Sequence, residues 1–192
     1  MKSLSEIETV SKRASRAAGY SWGICEEVGK NIRLLEMFGL PGIKNLNDYF
    51  DKKKKQKFEN LKLINAENKS TNLQYCPIIS GTSLLDQIKS LNNLNEIKFE
   101  GIAYPLLFLP FVSRASEIIG KRLLLKLDSN EFLLNFNNNI FSNFISNEII
   151  IIANIVTIRL LENADSFSEK EWSQLYKLSE ETFVEESDSL KE

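Results

Sequence analysis

Hydrophobic residues recur at helical spacing through roughly the first quarter of the chain. An S-x-x-E capping box at residues 3–6 begins a helix that Gly19 ends. A second apolar stripe ends at Gly39, and a short third helix follows the Pro-Gly turn at 41–42. Because the connections are short, residues 1–55 are predicted to form an antiparallel helical subdomain.

From residue 75 the pattern changes to short apolar and alternating runs, which is typical of strands. Ser83 and Asp86 are expected to cap a helix through Leu91, and Pro110 fits the first residue of another. The predicted strands lie at 97–100, 122–128, 131–136, 148–152 and 155–161, with a hairpin between the second and third.

A capping box of Ser168 and Glu171 begins a C-terminal helix. The fold class is therefore α+β: an N-terminal layer of about three helices, packed with an antiparallel sheet of about four or five strands and the C-terminal helix. We predict one domain over 1–192, with a β-rich part at 75–184 and an acidic tail at 185–192. The tail has little to bury and is predicted to be disordered or marginally helical.

Composition excludes several classes of active site. The 192 residues include no His and only Cys25 and Cys76. A Ser-His-Asp or Cys-His nucleophile, a His-ligated metal, a four-thiolate zinc site and an iron–sulfur cluster therefore cannot be built within one chain. We expect no metal and no cofactor. The net charge of −2 also argues against nucleic acid as a partner.

The chain shows no targeting segment and no membrane span. Its N-terminus lacks an apolar core, and the longest apolar stretches, 102–112 and 149–158, are about half of a membrane span. Two separated cysteines do not make a disulfide framework, which favours reduced thiols. The sequence thus predicts a soluble cytoplasmic protein that does not bind membranes.

Several segments together resemble an uncharacterised bacterial family of unknown function. They are Ser3-Leu4-Ser5-Glu6-Ile7-Glu8, Ala17-Ala18-Gly19-Tyr20-Ser21-Trp22-Gly23, Glu26-Glu27-Val28-Gly29-Lys30, Cys76-Pro77, the Pro105–Phe111 run and Trp172 with Thr182-Phe183-Val184. The acidic residues 185–190 depart from the Gly- and Asp-containing tail of that family. The resemblance implies a bacterial, soluble protein, and it brings no known activity and no catalytic residues.

The junction of the first two helices is one candidate site. Tyr20 and Trp22 could stack on a ligand while free N–H groups of the second helix bind its anionic part. Alternatively, Trp22 fills the core where these helices meet the β-rich part, and this is our expectation. Glu27 could act as a general base if it is desolvated, or lie on the surface.

Three further candidates lie later in the chain. The hydroxyl-rich segment Ser80-Gly81-Thr82 could present backbone N–H groups to an anion, or be an ordinary capped turn. Cys76 could be a nucleophile near a helix N-terminus, or an inert, partly buried thiol. Arg114 could bind a carboxylate ligand, or pair with an internal acid such as Glu117 or Asp128.

Two classes of function remain open. The first is a soluble accessory protein that uses no metal or nucleotide cofactor. It would bind either a small anionic metabolite or, through its N-terminal helices, a protein partner or a second copy of itself. The alternative is a cofactor-independent enzyme acting on a small anionic metabolite with Glu, Lys, Tyr or Cys in place of His; the sequence does not decide whether the protein is an enzyme. The candidate site residues are Tyr20, Trp22, Glu27, Cys76, Ser80, Gly81, Thr82 and Arg114.

Overall fold

In the computed structural model, which describes residues 2–182, three helices begin the chain as the hydrophobic spacing predicts. They are α1 (Leu4–Ala17), α2 (Trp22–Met37) and α3 (Gly42–Lys53). The Ser3 hydroxyl accepts a hydrogen bond from the Glu6 N–H at 3.1 Å, so the first capping residue acts as its sequence indicates.

The helices α1 and α2 approach closely at Gly29. A Cβ atom there would lie 2.8 Å from the carbonyl oxygen of Glu8, which is closer than real Cβ contacts come. Glycine therefore allows the two helix backbones to touch, and this contact fixes α2 against α1.

The next helix begins earlier than the Ser83 cap predicts. Helix α4 (Pro77–Leu91) has Cys76 as its N-cap, and the Cys76 Sγ accepts from the Ile79 N–H at 3.4 Å. Pro77 is the first helical residue, where its missing N–H costs nothing. The segment Ser80-Gly81-Thr82 is consequently helical, so the interpretation of these residues as a turn is wrong.

Helix α4 packs against α5 (Leu109–Ile119), which follows a short 3-10 turn at Pro105–Leu107. Gly81 makes the contact, since a Cβ atom there would lie 2.4 Å from Cγ of the buried Phe111 ring. The ring thus occupies the space that any side chain at residue 81 would need.

The strands form one six-stranded mixed sheet in the order β1-β2-β6-β3-β4-β5. All neighbours pair antiparallel except β1 and β2, which are parallel. The α+β class is confirmed, although the sheet has more strands than the four or five predicted and is not wholly antiparallel. The strands are β1 (Glu67–Lys69), β2 (Glu96–Ala103), β3 (Leu123–Leu127), β4 (Asn130–Leu134), β5 (Ile140–Ser142) and β6 (Ile152–Leu160).

The predicted hairpin is present as β3 and β4, but the strand predicted at 148–152 is absent apart from Ile152, which begins the single strand β6. Residues 148–151 lie outside any strand. At the start of β6, the Asp128 carboxylate accepts from the Asn154 and Ile155 N–H groups at 3.2 and 2.9 Å. Asp128 thus accepts hydrogen bonds from backbone N–H groups of β6 near residues 153–154, where the sequence pattern predicts a gap between two strands.

One face of the sheet is buried. A row of apolar side chains crosses four strands in register, formed by Ile97, Ile158, Leu125 and Phe132. These residues are buried together with the inner sides of α2, α3, α4 and α5. The core therefore lies between this face of the sheet and the helices.

The chain divides into two compact units, 1–162 and 163–192. The second unit contains α6 (Glu169–Glu180), where the predicted capping box of Ser168 and Glu171 is confirmed. All of its described residues are exposed. The prediction for the tail at 185–192 lies outside the described residues, and the single domain over 1–192 stays a prediction. Within residues 2–182, no helix is both long and apolar enough to cross a membrane.

Candidate ligand-binding site

The structure brings the candidate site residues together as two separate pairs. Tyr20 lies beside Cys76, and Glu27 forms an ion pair with Arg114. Trp22 belongs to neither pair. The candidate residues therefore lie at different places in the fold and do not form one site.

Trp22 is 54% exposed, so the expectation that it fills the core is wrong. It is the first residue of α2, and two cationic side chains of α1 lie over its ring. The Arg16 guanidinium carbon and the Lys12 Nζ are 5.3 and 5.9 Å from the ring centroid. Cation–π contact with long side chains thus takes the place of core packing.

The first pair belongs to a buried tyrosine–cysteine cluster, formed by Tyr20, Tyr49 and Cys76. The Tyr49 Oη lies 3.0 Å from the Tyr20 Oη and 2.9 Å from the Cys76 Sγ. The Tyr20 Oη is 3.7 Å from the same sulfur. Cys76 is only 2% exposed, and it is a free thiol. The cluster therefore surrounds the sulfur with two hydroxyls and the first turn of α4.

Burial is the main cause that raises the pKa of Tyr20 and of Tyr49 far above the usual phenol value. Both hydroxyls consequently stay protonated at physiological pH, so each has a proton to donate within the cluster. A pocket of about 520 Å³ reaches this cluster, and Lys53 and Lys57 are among its lining residues. No carboxylate is among the described residues that line it. The cluster thus supplies hydrogen-bond donors, but no carboxylate that could take the thiol proton.

The residues Ser80, Gly81 and Thr82 do not form an anion site. The Thr82 hydroxyl donates to the Ile78 carbonyl at 2.8 Å inside α4, and Gly81 contacts Phe111. The Ser80 Oγ is buried and has no hydrogen-bond partner within the described part of the chain. Each of these residues faces its own helix or the core.

The second pair borders the α2–α5 cleft, a depression of about 820 Å³. Arg114 pairs there with Glu27 of α2, so the expected pairing with Glu117 or Asp128 is wrong. The cleft is lined by Glu8, Lys30, Asn31, Arg33, Leu34, Met37, Pro110, Arg114, Glu117, Ile118 and Asn138.

Most charges of the cleft already have partners. Lys30 lies 3.5 Å from Glu27, and Arg33 lies 3.0 Å from Glu8. Glu117 differs: its carboxylate accepts from the Asn138 Nδ2 at 3.1 Å, but no cation of residues 2–182 lies within ion-pair distance. The cleft therefore combines paired cations with one carboxylate that lacks a cation.

Asn31 is the polar residue of this cleft that sequence reasoning missed. It is 6% exposed, and its amide Nδ2 is buried without a hydrogen-bond partner among the described residues. A signal for it exists in the sequence, because Asn31 stands three residues after Val28 and four before Leu35. An amide inside an otherwise apolar helical stripe needs a partner when it is buried.

The described residues offer no group of three or more Cys, Asp or Glu side chains that could hold a metal ion.

Residues 2–75, somewhat less than half of the chain, match a family model described as "Protein of unknown function (DUF3726)". The match covers α1, α2 and α3, and it includes Glu27 and Asn31 but not Arg114. No curated protein and no solved structure matches the chain. The function of the protein is therefore not given by a relative.

Proposed function

We propose that this protein binds a small carboxylate in the α2–α5 cleft and acts as a binding protein. The observation that carries the proposal is the buried Asn31 amide Nδ2, which has no hydrogen-bond partner among residues 2–182. Leaving such a donor unsatisfied costs about 1–3 kcal/mol. The Nδ2 atom is not accessible from the cleft as the side chain stands, so the amide must turn about χ2 to face it. A ligand oxygen that then accepts from this amide would remove that cost, so binding and stability become linked.

Arg114 supports the same proposal. Its Nη1 donates to Glu27, and its side chain is 38% exposed at the cleft. A guanidinium carries five N–H donors in a fixed fork, so this contact leaves others for a ligand. Glu27 then acts as a positioning residue, since it holds the guanidinium in place before a carboxylate arrives.

The sharpest test uses Asn31→Leu, which replaces the amide by an apolar side chain of similar size. We expect this variant to be more stable than the wild type without ligand, by about 1 kcal/mol, because the unsatisfied donor is gone. We also expect it to lose the thermal shift that carboxylates produce. Wild-type protein at a ligand concentration of 100 times the Kd should gain about 2.7 kcal/mol.

Ser80→Ala is the matched control, because the Ser80 hydroxyl is also buried without a partner but does not line the cleft. It should leave the ligand-induced shift unchanged. A screen of small carboxylates that yields no shift in the wild type contradicts the proposal. So does an Asn31→Leu variant that retains the full shift.

A cofactor-independent enzyme is the second candidate, and one observation favours it. The Cys76 sulfur lies at the N-terminus of α4 and 2.9 Å from a hydroxyl that stays protonated. A position at a helix N-terminus is one of the settings in which cysteines act as nucleophiles. Iodoacetamide alkylation followed by mass spectrometry tests it, with the fully buried Cys25 as the internal reference. Equal, slow labelling of the two thiols would argue against catalysis.

We place this binding protein in the bacterial cytoplasm. The support is that Cys25 and Cys76 are free thiols, as a reducing compartment maintains them. Docking of a protein partner or of a second copy through the N-terminal helices stays a prediction. Its support is the exposure of large apolar side chains on α1 and α2, namely Val10, Trp22 and Met37.

A further inference from the structure

We propose that the ligand of the α2–α5 cleft is a free α-amino acid with an apolar side chain, bound as a zwitterion. This inference rests on the proposed carboxylate binding and adds the rest of the ligand. Three properties of the cleft support it: the placement of Glu117, the balance of charges and the apolar wall.

Glu117 and Arg114 lie three residues apart on α5, and both line the cleft. Side chains at this spacing share one helix face, with their Cβ atoms about 5–6 Å apart. An α-amino acid carries its carboxylate and its ammonium on the same carbon. With hydrogen bonds of about 2.9 Å at each group, its carboxylate can meet Arg114 while its ammonium meets Glu117.

Glu117 is exposed at the cleft, and it differs from the other acids there in having no cationic partner among residues 2–182. Glu27 is paired with Arg114 and Lys30, and Glu8 is paired with Arg33. Glu117 has no cation within ion-pair distance among the described residues, and its hydrogen bond from Asn138 is to a neutral amide. A ligand ammonium would supply the cation that this carboxylate lacks.

The charge balance selects against ligands that carry only one sign. The cations Lys30, Arg33 and Arg114 are matched in number by the acids Glu8, Glu27 and Glu117 around the cleft. A ligand with two carboxylates would place one of them against an acid, and a simple amine would face the cations. A ligand of zero net charge with separated charges avoids both.

The apolar wall indicates the third part of the ligand. Leu34 and Met37 follow Asn31 along α2, and the rise of a helix places Met37 about 9 Å beyond it. Pro110 and Ile118 add apolar surface from α5. A side chain of the size of leucine, methionine or phenylalanine would be covered by this wall, whereas a charged one would not find partners there.

Isothermal titration calorimetry of the full chain tests this inference with three matched sets. Leucine is compared with 4-methylpentanoate, which lacks the ammonium, and with 3-methylbutylamine, which lacks the carboxylate; methionine and phenylalanine are compared with their own deaminated and decarboxylated counterparts. We expect at least one amino acid to bind at least tenfold more tightly than both of its counterparts. Glu117→Gln should weaken that amino acid at least tenfold and leave the deaminated acid unchanged or tighter.

Glu148→Gln, an exposed acid that does not line the cleft, is the control and should change neither affinity. A deaminated acid that binds as tightly as its amino acid would overturn the zwitterion but leave carboxylate binding intact. Unchanged amino-acid affinity in Glu117→Gln would also overturn the inference. Absence of binding by every amino acid and every acid would overturn both this inference and the proposed function.

Discussion

The buried Tyr49 hydroxyl has two polar neighbours, a second phenol at 3.0 Å and a thiol at 2.9 Å. Burial raises its pKa and that of Tyr20, so both stay protonated in the folded chain when unfolded phenols ionise near pH 10. Above that pH the folded state binds more protons than the unfolded state. The stability that these phenols contribute is present below pH 10 and decreases as the pH rises further.

We therefore expect the free energy of unfolding to decrease above pH 10, by up to about 1.4 kcal/mol per pH unit for each buried phenol. Urea unfolding between pH 9 and pH 11.5 measures the slope. Tyr49→Phe should make the decrease of the free energy of unfolding with pH less steep, by the contribution of one buried phenol. Tyr176→Phe, which changes an exposed residue, should leave the slope unchanged. A Tyr49→Phe slope equal to that of the wild type would contradict the burial argument.

Trp22 gives a second prediction at the residue scale. Truncating a buried Trp costs about 3–5 kcal/mol, but this ring is half exposed and contacts Arg16 and Lys12. Exposed cation–π contacts contribute about 0.5–1 kcal/mol. Trp22→Ala should therefore cost about 1 kcal/mol, read from the urea midpoint. Trp22→Phe keeps a ring and should cost less; a loss above 3 kcal/mol would restore the core interpretation.

The sequence indicated individual polar residues better than it indicated their partners. Glu27 and Arg114 were both recognisable as charges beside apolar segments, and they meet in the structure. Their sequence separation of 87 residues means that no local pattern could pair them. Asn31 was missed because an isolated Asn in a helix is uninformative until the burial of that face is known.

Helix packing depends on Gly81, where α4 approaches α5. Alanine is favoured over glycine in a helix by about 1 kcal/mol, but a Cβ atom here would lie 2.2 Å from Cδ2 of Phe111. That ring is buried and cannot move aside without disturbing the core. Gly81→Ala should therefore destabilise the protein by about 2 kcal/mol or more in chemical denaturation.

Gly23→Ala is the matched control for this prediction. Gly23 is also helical, and a Cβ atom there would have no neighbour within 4 Å. This change should stabilise the protein slightly, by less than about 1 kcal/mol. The double variant Gly81→Ala/Phe111→Leu should recover part of the loss, and no recovery would show that the clash with the ring is not its cause.

At the scale of elements, helices were easier to predict than strands, for a physical reason. Helix ends depend on nearby residues, so Ser3 and the capping box at Ser168 could be read locally. The start of α4 was missed because Cys76 is an uncommon cap, although Pro77 marks a helix start. The strands β1 and β5 have only three residues each, which leaves little local signal. In addition, β1 is defined by pairing with β2, which lies beyond α4 in the chain.

For the whole molecule, the change from helical spacing to short apolar runs near residue 75 was enough to predict the α+β class. The same change could not give the strand order, because β6 inserts between β2 and β3 through pairings that skip intervening elements. The α2–α5 cleft has the same origin. It lies between α2, which belongs to the N-terminal layer, and α5, which follows the long strand β2. The cleft therefore exists only in the assembled fold.

The last prediction concerns how much of the chain the core requires. The buried hydrophobic residues extend from Tyr20 to Leu160, and every described residue from 162 to 182 is exposed. A chain of residues 1–162 should therefore fold and melt within a few °C of the full chain, because this unit has a hydrophobic core of its own. Its ligand-induced shift should also be unchanged, since the cleft lies within these residues. If instead residues 1–192 form one domain in which α6 belongs to the core, the truncation would cost several kcal/mol. Thermal and urea unfolding of the two chains side by side, with Asn31→Leu in both, distinguishes these outcomes.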